Sequence, residues 1–225
     1  MAITYRIEQD ELAWDHDSPR DWDNLGTMVC FHRRYNLGDV QESRHVGSWL
    51  ADMLESLDIP NCDQYGNYTD HWYYFINDLA NNYPEAKEKA WDILDKHIFM
   101  LPLYLDDHSG ITINTTGFSC PWDSGQLGFI YVTKADVRKE WGKQRISKKL
   151  EQLIYKNLRA EVEVYDQYLT GDVWGYVIED RHGEVLDSCW GFYGYDYCEQ
   201  EVKKIVKYYQ TEESEELIEL QSTVR

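Results

Sequence analysis

The chain reads as an α+β protein, a central and mostly antiparallel sheet with helices packed on it. Three observations point there. Short runs rich in β-branched and aromatic residues, bounded by Gly, Asp and Asn, alternate with longer runs whose apolar residues recur every three or four positions. The interleaving has no regular strand-helix-strand repeat, which argues against a parallel sheet. One segment, 147–169, has the pattern of a long amphipathic helix. No internal repeat or low-complexity linker interrupts the 225 residues, so a single α+β domain over 1–225 is expected, with an acidic stretch over residues 1–132, a mixed-charge stretch over 133–211 and an acidic tail over 212–225.

Thr4 to Glu8 alternates weakly and fits an edge strand. An acidic loop, Asp10 to Asn24, follows; it holds Pro19, and its Trp14 and Trp22 are expected to anchor it to the body. Gly26 to His32 is a short strand. Val46, Trp49, Leu50, Met53, Leu54 and Leu57 share one helical face, and Ile59-Pro60-Asn61 ends that helix. Cys62 to Thr69 reads as an irregular loop. His71 to Asn82 and Pro84 to Phe99 carry two more helical patterns, the second opened by Pro84 in its first turn. Leu101–Leu105 and Ile111–Thr115 are strands around the turn Asp106-Asp107-His108-Ser109-Gly110. Phe118 to Gly125 is a loop, Leu127 to Thr133 a buried strand, and Lys134 to Trp141 a short helix. Ser147 opens the long helix, with Leu150, Leu153, Ile154, Leu158, Val162, Tyr165 and Leu169 along one side. Val173–Glu179 and Glu184–Gly191 flank Asp180-Arg181-His182-Gly183 as a hairpin. A final helix covers about Cys198 to Tyr209.

Composition narrows function. There are 41 Asp plus Glu against 22 Lys plus Arg, a formal net charge of -19, and 9 Trp, 18 Tyr and 6 Phe. So many aromatics supply apolar area that an acidic disordered chain lacks. No segment has the apolar length of a membrane span, and the first residues lack a signal peptide's apolar stretch; a cytoplasmic protein without membrane contact is expected. Duplex DNA calls for a basic surface, so direct duplex binding is not expected. The excess is uneven: Met1 to Val132 holds 22 acidic and 8 basic residues, whereas Lys134 to Arg159 holds nine basic residues against three acidic ones. Five cysteines, Cys30, Cys62, Cys120, Cys189 and Cys198, include no C-x-x-C pair and read as small buried apolar residues.

Five features could carry chemistry. Asp15, Asp17, Asp21 and Asp23 crowd one loop; hard cations want such oxygen donors, yet Pro19 and Arg20 break the EF-hand spacing. Partner contact is the reading preferred for these four, with metal binding the alternative. Cys120, His108 and Asp107 could form a thiol, base and orienting carboxylate if a hairpin joined them, although turn chemistry alone explains Asp, His, Ser and Gly there. The run Trp190 to Tyr197 could stack bases, but its acidic flanks favour core packing. Lys143, Arg145, Lys148, Lys149 and Lys156 form a basic face able to meet nucleic acid, or a solvated face paired with acidic neighbours. The acidic surface itself could imitate the charge density of DNA. No motif asks for a cofactor.

Three stretches carry a resemblance: Trp22-Asp23-Asn24-Leu25-Gly26-Thr27-Met28-Val29-Cys30-Phe31-His32-Arg33-Arg34-Tyr35-Asn36-Leu37-Gly38-Asp39, Thr116-Gly117-Phe118-Ser119-Cys120-Pro121-Trp122-Asp123-Ser124-Gly125-Gln126, and Tyr165-Asp166-Gln167-Tyr168-Leu169-Thr170-Gly171-Asp172-Val173. They resemble a family of proteins carried by bacteriophages and integrated mobile elements, over most of the chain. The resemblance brings no active-site residues with it. It implies a setting, the cytoplasm of a host bacterium, in which a small acidic protein acts as an inhibitor of host defence, an anti-CRISPR or antirestriction protein. The function expected is therefore non-catalytic binding to a nucleic-acid-handling defence complex. The alternatives are a Cys/His- or metal-dependent hydrolase acting on a nucleotide or signal molecule, and a nucleic-acid-binding accessory protein using the basic helix 143–159.

Overall fold

A computed structural model describes residues 3–15, 17–59, 61–62, 68–69, 72 and 84–223; for Asp15, 61–62, 68–69, 84–87 and 212–223 it describes the backbone alone. The fold is α+β, and its chain contacts group into two compact units. One is formed by Arg20–Val162, the other by Met1–Pro19 with Glu163–Arg225. Both changes of unit fall where composition gives no sign, inside the acidic loop and inside the long helix.

In the Arg20–Val162 unit, strands β2 (Thr27–Cys30), β3 (Val40–Gln41), β6 (Ile98–Asp107), β7 (Ile111–Asn114) and β8 (Ser124–Thr133) form one sheet in the order β3-β2-β8-β6-β7. All of its pairings are antiparallel except β2 with β3. Helices α1 (Val46–Ser56) and α2 (Pro84–Asp95) share a core with the sheet through Val29, Trp49, Leu50, Leu54, Ala90, Leu94, Ile98 and Phe129. Trp49 lies nearly parallel to Phe129 at 5.4 Å between ring centres. Alternate residues of β8 point the other way, towards the first half of helix α4 (Lys148–Thr170), which buries Ile154 and Leu158. Burial on both faces accounts for the unbroken apolar run of β8. Two glycines permit the close approaches: a Cβ on Gly26 would overlap Leu158 and Ile130, and one on Gly128 would overlap the carbonyl of Val29. Pro102 pairs with the β8 side of the sheet, while β7 partners only Tyr104 to Asp107, so the missing N–H faces no neighbouring strand among the described residues.

Helix α3 (Lys134–Glu140) is capped by Thr133, whose Oγ1 accepts the N–H of Asp136 at 3.0 Å, and α4 by Ser147, whose Oγ accepts that of Leu150 at 3.2 Å. Behind β2 lies the polar centre of the unit. Arg20, its side chain only 4% exposed, donates from Nε and Nη2 to the two oxygens of Asp39 at 2.9 and 2.6 Å, from Nη1 to Glu161 at 3.1 Å, and from Nη2 to the carbonyl of Gly26 at 2.6 Å. Asp39 also accepts the N–H of Met28, and Glu161 those of Leu25 and Gly26. Burial opposes the charge on Arg20, and its two carboxylates more than offset that cost, so its pKa is raised.

In the other unit, β1 (Thr4–Gln9), β9 (Val173–Glu179) and β10 (Val185–Tyr193) form an antiparallel sheet with β9 in the centre, and β1 is an edge as its sequence suggests. Helix α5 (Tyr195–Thr223) covers one face, packing Cys198, Val202 and Val206 on Tyr176 and Ile178. The hairpin turn is held by Asp180, whose Oδ1 accepts the N–H groups of His182 at 2.7 Å and Glu184 at 2.9 Å.

Several expectations need correction. The helix opened by Pro84 stops at Asp95; Ile98 and Phe99 begin β6, because an apolar run can serve either periodicity and pairing with β8 decides it. The last helix starts at Tyr195 and continues through the acidic tail to Thr223. The segment Cys62 to Thr69 contributes to a short ladder of β4 (Asn61–Cys62) with β5 (Tyr68–Thr69), its middle lying outside the described residues. The helix over His71 to Asn82 also lies outside them, save Trp72, which is helical and buried and donates to the carbonyl of Ile59 at 2.7 Å.

Replacing Arg20 with Ala should cost about 3 kcal/mol, because the half-buried Asp39 and Glu161 are left without their cation. Arg20→Lys should restore only a fraction of this, since an ammonium cannot span both oxygens of Asp39 as the guanidinium does. Urea titration of the variants measures this, and a loss within error of zero would contradict the assignment. Asp180, held below the ordinary carboxylate range chiefly by the N–H of Glu184, contributes stability that is present above the ordinary carboxylate pKa. That contribution is lost as pH falls through the lowered value. Asp180→Asn should flatten this portion of the acid unfolding profile.

Candidate interaction surfaces

The β6–β7 turn and the loop before β8 bring His108, Cys120 and Asp123 together. His108 Nδ1 lies 3.1 Å from Asp123 Oδ2, and the Cys120 thiol donates to the same oxygen at 3.8 Å. Asp107 turns elsewhere, paired with Arg34 and accepting the Tyr35 hydroxyl at 3.2 Å. Neighbours along an extended strand point to opposite faces, which explains why the carboxylate adjacent to His108 in sequence is not the one beside it in space. Thiol and imidazole address one carboxylate oxygen rather than each other, and a cysteine nucleophile needs the imidazole at its sulfur. The cluster is open to solvent, with His108 73% exposed. Next to it Trp122 is 91% exposed, beside an open cavity of about 280 Å³ lined by Arg34, Asp107, Trp122 and Asp123. Sequence reasoning missed Asp123 and Trp122 as participants, although Pro121-Trp122-Asp123 stands inside a motif already singled out.

The four loop aspartates divide between the units. Asp21 and Asp23 belong to the Arg20–Val162 unit, Asp17 and Asp15 to the other. Asp17, Asp21 and Asp23 are exposed, and among the described residues they make no hydrogen bond or ion pair; the side chain of Asp15 lies outside the description. Among the described residues no three His, Cys, Asp or Glu side chains converge as a metal site. Trp14 and Trp22, expected to anchor the loop, are 59% and 51% exposed, and Ala13 and Pro19 of the same loop are buried. Trp14 rests one side on Tyr168 at 5.5 Å.

Asp23 also borders an open cavity of about 670 Å³ with Tyr131, Asp136, Lys139, Glu140 and Trp141. Burial, with Asp39 and Asp136 nearby, raises the Tyr131 pKa. In the Met1–Pro19 and Glu163–Arg225 unit, Trp190 lies against Gly175, where a Cβ would overlap its ring, and borders a cavity of about 800 Å³ with Glu8, Asp10, Glu11 and Leu12. The run Trp190 to Tyr197 is thus only partly core: Phe192 packs on Tyr176, while Trp190, Tyr195 and Tyr197 keep exposed surface.

Lys143, Arg145, Lys148, Lys149 and Lys156 are all exposed, and among the described residues none has an acidic partner within 4.0 Å. The pairing with acidic neighbours expected for a merely solvated face is absent there. No helix of the described residues is long and apolar enough to cross a membrane. Comparison with protein-family models, with curated proteins and with solved structures finds no match.

The cysteines separate by environment. Cys30 and Cys198 are buried, and burial is the main cause that pushes their thiols up to about 12 and about 11. Cys189 is exposed and Cys120 half-buried, so the expectation of buried cysteines holds for two of the four described. Alkylation of the folded protein near neutral pH, mapped by mass spectrometry, should modify Cys189 and Cys120 and spare Cys30 and Cys198 until denaturant is added. Modification of Cys30 at the rate of Cys189 would contradict the packing behind β2.

Proposed function

We propose that the protein is a non-catalytic inhibitor of phage or mobile-element origin, which binds a nucleic-acid-handling defence complex of the host cytoplasm and occupies surface meant for nucleic acid. The observation that carries this reading is the charge left uncommitted: Asp17, Asp21 and Asp23 stand exposed with no hydrogen bond or ion pair among the described residues, on a chain of net charge -19. Carboxylates without such a partner among the described residues are available to a basic groove. Large exposed aromatics support the same reading, because tryptophans such as Trp14, Trp22 and Trp122 supply the apolar contact that protein interfaces concentrate at their centres. The hydrolase alternative has less support, since Cys120 and His108 share a carboxylate without touching each other.

The test uses purified restriction and CRISPR effector complexes, immobilised and challenged at low ionic strength, where charge-steered association is strongest. Retention of the protein by one of them is expected, with retention falling as salt rises. Replacing Asp17, Asp21 and Asp23 together by Asn should weaken binding about tenfold, the scale of three partly exposed charges. No retention by any complex at low salt, or equal retention of the triple variant, would overturn the reading.

A further inference from the structure

Eight cations stand between Arg138 and Arg159: Arg138 and Lys139 in the last turn of α3, Lys143 and Arg145 in the connection, and Lys148, Lys149, Lys156 and Arg159 on α4. All are exposed, and among the described residues none is within ion-pairing distance of a carboxylate. Among the described residues Arg159 contacts the carbonyl and ring of Tyr155, within its own helix. Elsewhere Arg6, Arg20, Arg34, Arg44, Lys203 and Lys204 are paired with carboxylates, whereas Arg33, Lys89, Lys96, Arg181 and Lys207 have no such pairing among the described residues; the stripe is set apart by the number of cations it gathers.

Helical geometry orders the four on α4. At 3.6 residues per turn, Lys148, Arg159, Gln152, Lys156 and Lys149 fall within an arc of about 100°, and Lys148 to Arg159 spans about 16 Å along the axis. The opposite side holds Ile154, Leu158 and Val162, all buried, so the arc faces outward. Within it there is no carboxylate before Glu163: Glu151 lies outside the arc, and Glu161 turns inward to Arg20. Glu151 stands three positions after Lys148, a spacing a helix can use, yet among the described residues it makes no ion pair with it.

We infer that this stripe is a docking surface for the phosphate backbone of a nucleic acid. The choice of polyphosphate over an acidic protein rests on what lies between the cations. A protein interface has an apolar or aromatic centre, whereas the arc between Lys148 and Arg159 offers Gln152, a side chain that also bonds phosphate oxygens. The net charge of -19 repels nucleic acid at a distance, but screening confines that repulsion to about 10 Å at 0.1 M salt. At contact the local stripe decides. This inference does not rest on the inhibitor reading and goes beyond it, to a second partner chemistry.

The experiment is fluorescence anisotropy with labelled single-stranded and duplex probes of mixed sequence, titrated with the full chain at salt up to about 0.2 M. Binding of either probe is expected, and the one bound more tightly identifies the source of the phosphates. The slope of log affinity against log salt should lie near -3 to -4, about 0.9 per phosphate contacted. Lys148→Glu, Lys149→Glu, Lys156→Glu and Arg159→Glu combined should abolish binding. The corresponding Gln variant, which keeps a good helix former at each exposed position, should flatten the salt slope with an unchanged circular dichroism spectrum. No binding of either probe at any salt, unchanged affinity in both variants, or displacement of the probe by poly-glutamate as effective as by unlabelled nucleic acid would overturn the proposal, the last in favour of an acidic protein surface.

Discussion

The guanidinium of Arg20, buried between Asp39 and Glu161, is the constraint on which the Arg20–Val162 unit depends. Three pieces of chain distant in sequence meet there: the end of the acidic loop, the turn before β3 and the inner side of α4. Their backbone N–H groups at Leu25, Gly26 and Met28 close on the same carboxylates. A buried charge is tolerable only when it is paired and its remaining hydrogen-bonding capacity is filled. Here the guanidinium makes both oxygens of Asp39, one of Glu161 and a carbonyl its acceptors. Gly26 belongs to the same arrangement, since its carbonyl and N–H take part and its lack of a side chain lets Leu158 and Ile130 reach the strand.

That constraint also sets what the opposite side of the helix presents. Glu161 and the buried Ile154, Leu158 and Val162 fix the rotation of α4 about its axis, and that rotation aims Lys148, Lys149, Lys156 and Arg159 outward as a set. A helix held by packing and a charged anchor displays its outer residues with little freedom to rearrange. Asp17, Asp21 and Asp23 lie exposed in a loop where Asp10, Ala13, Pro19 and the Arg20 side chain are buried.

Much of the fold was legible in the sequence. The periods of α1 and α4, the hairpin around Asp180 and the buried strand β8 follow from spacing alone, and each element forms within a few residues of its expected bounds. What spacing could not settle was choice between competing patterns. Ile98 and Phe99 satisfy a helical period and a strand equally, and only pairing with β8, a contact across the chain, selects the strand. The candidate cluster was half legible. His108 and Cys120 do come to one place, but their shared carboxylate is Asp123 rather than Asp107, a consequence of which strand face each side chain takes. Arg20 was the larger omission. It stood out only as a residue that spoiled a metal-binding spacing, and nothing local in sequence announces that Asp39 and Glu161 will enclose it.

On the proposed reading, surface charge serves recognition of nucleic-acid machinery rather than solubility. Displacement tests it most directly: a purified restriction or CRISPR effector complex carrying fluorescent DNA is titrated with the protein, and DNA release is followed by anisotropy. Release that saturates with added protein and weakens as salt rises is the expected result, because opposite charge drives the exchange. DNA that stays bound at every protein concentration, in every complex tried and down to low salt, would contradict the claim.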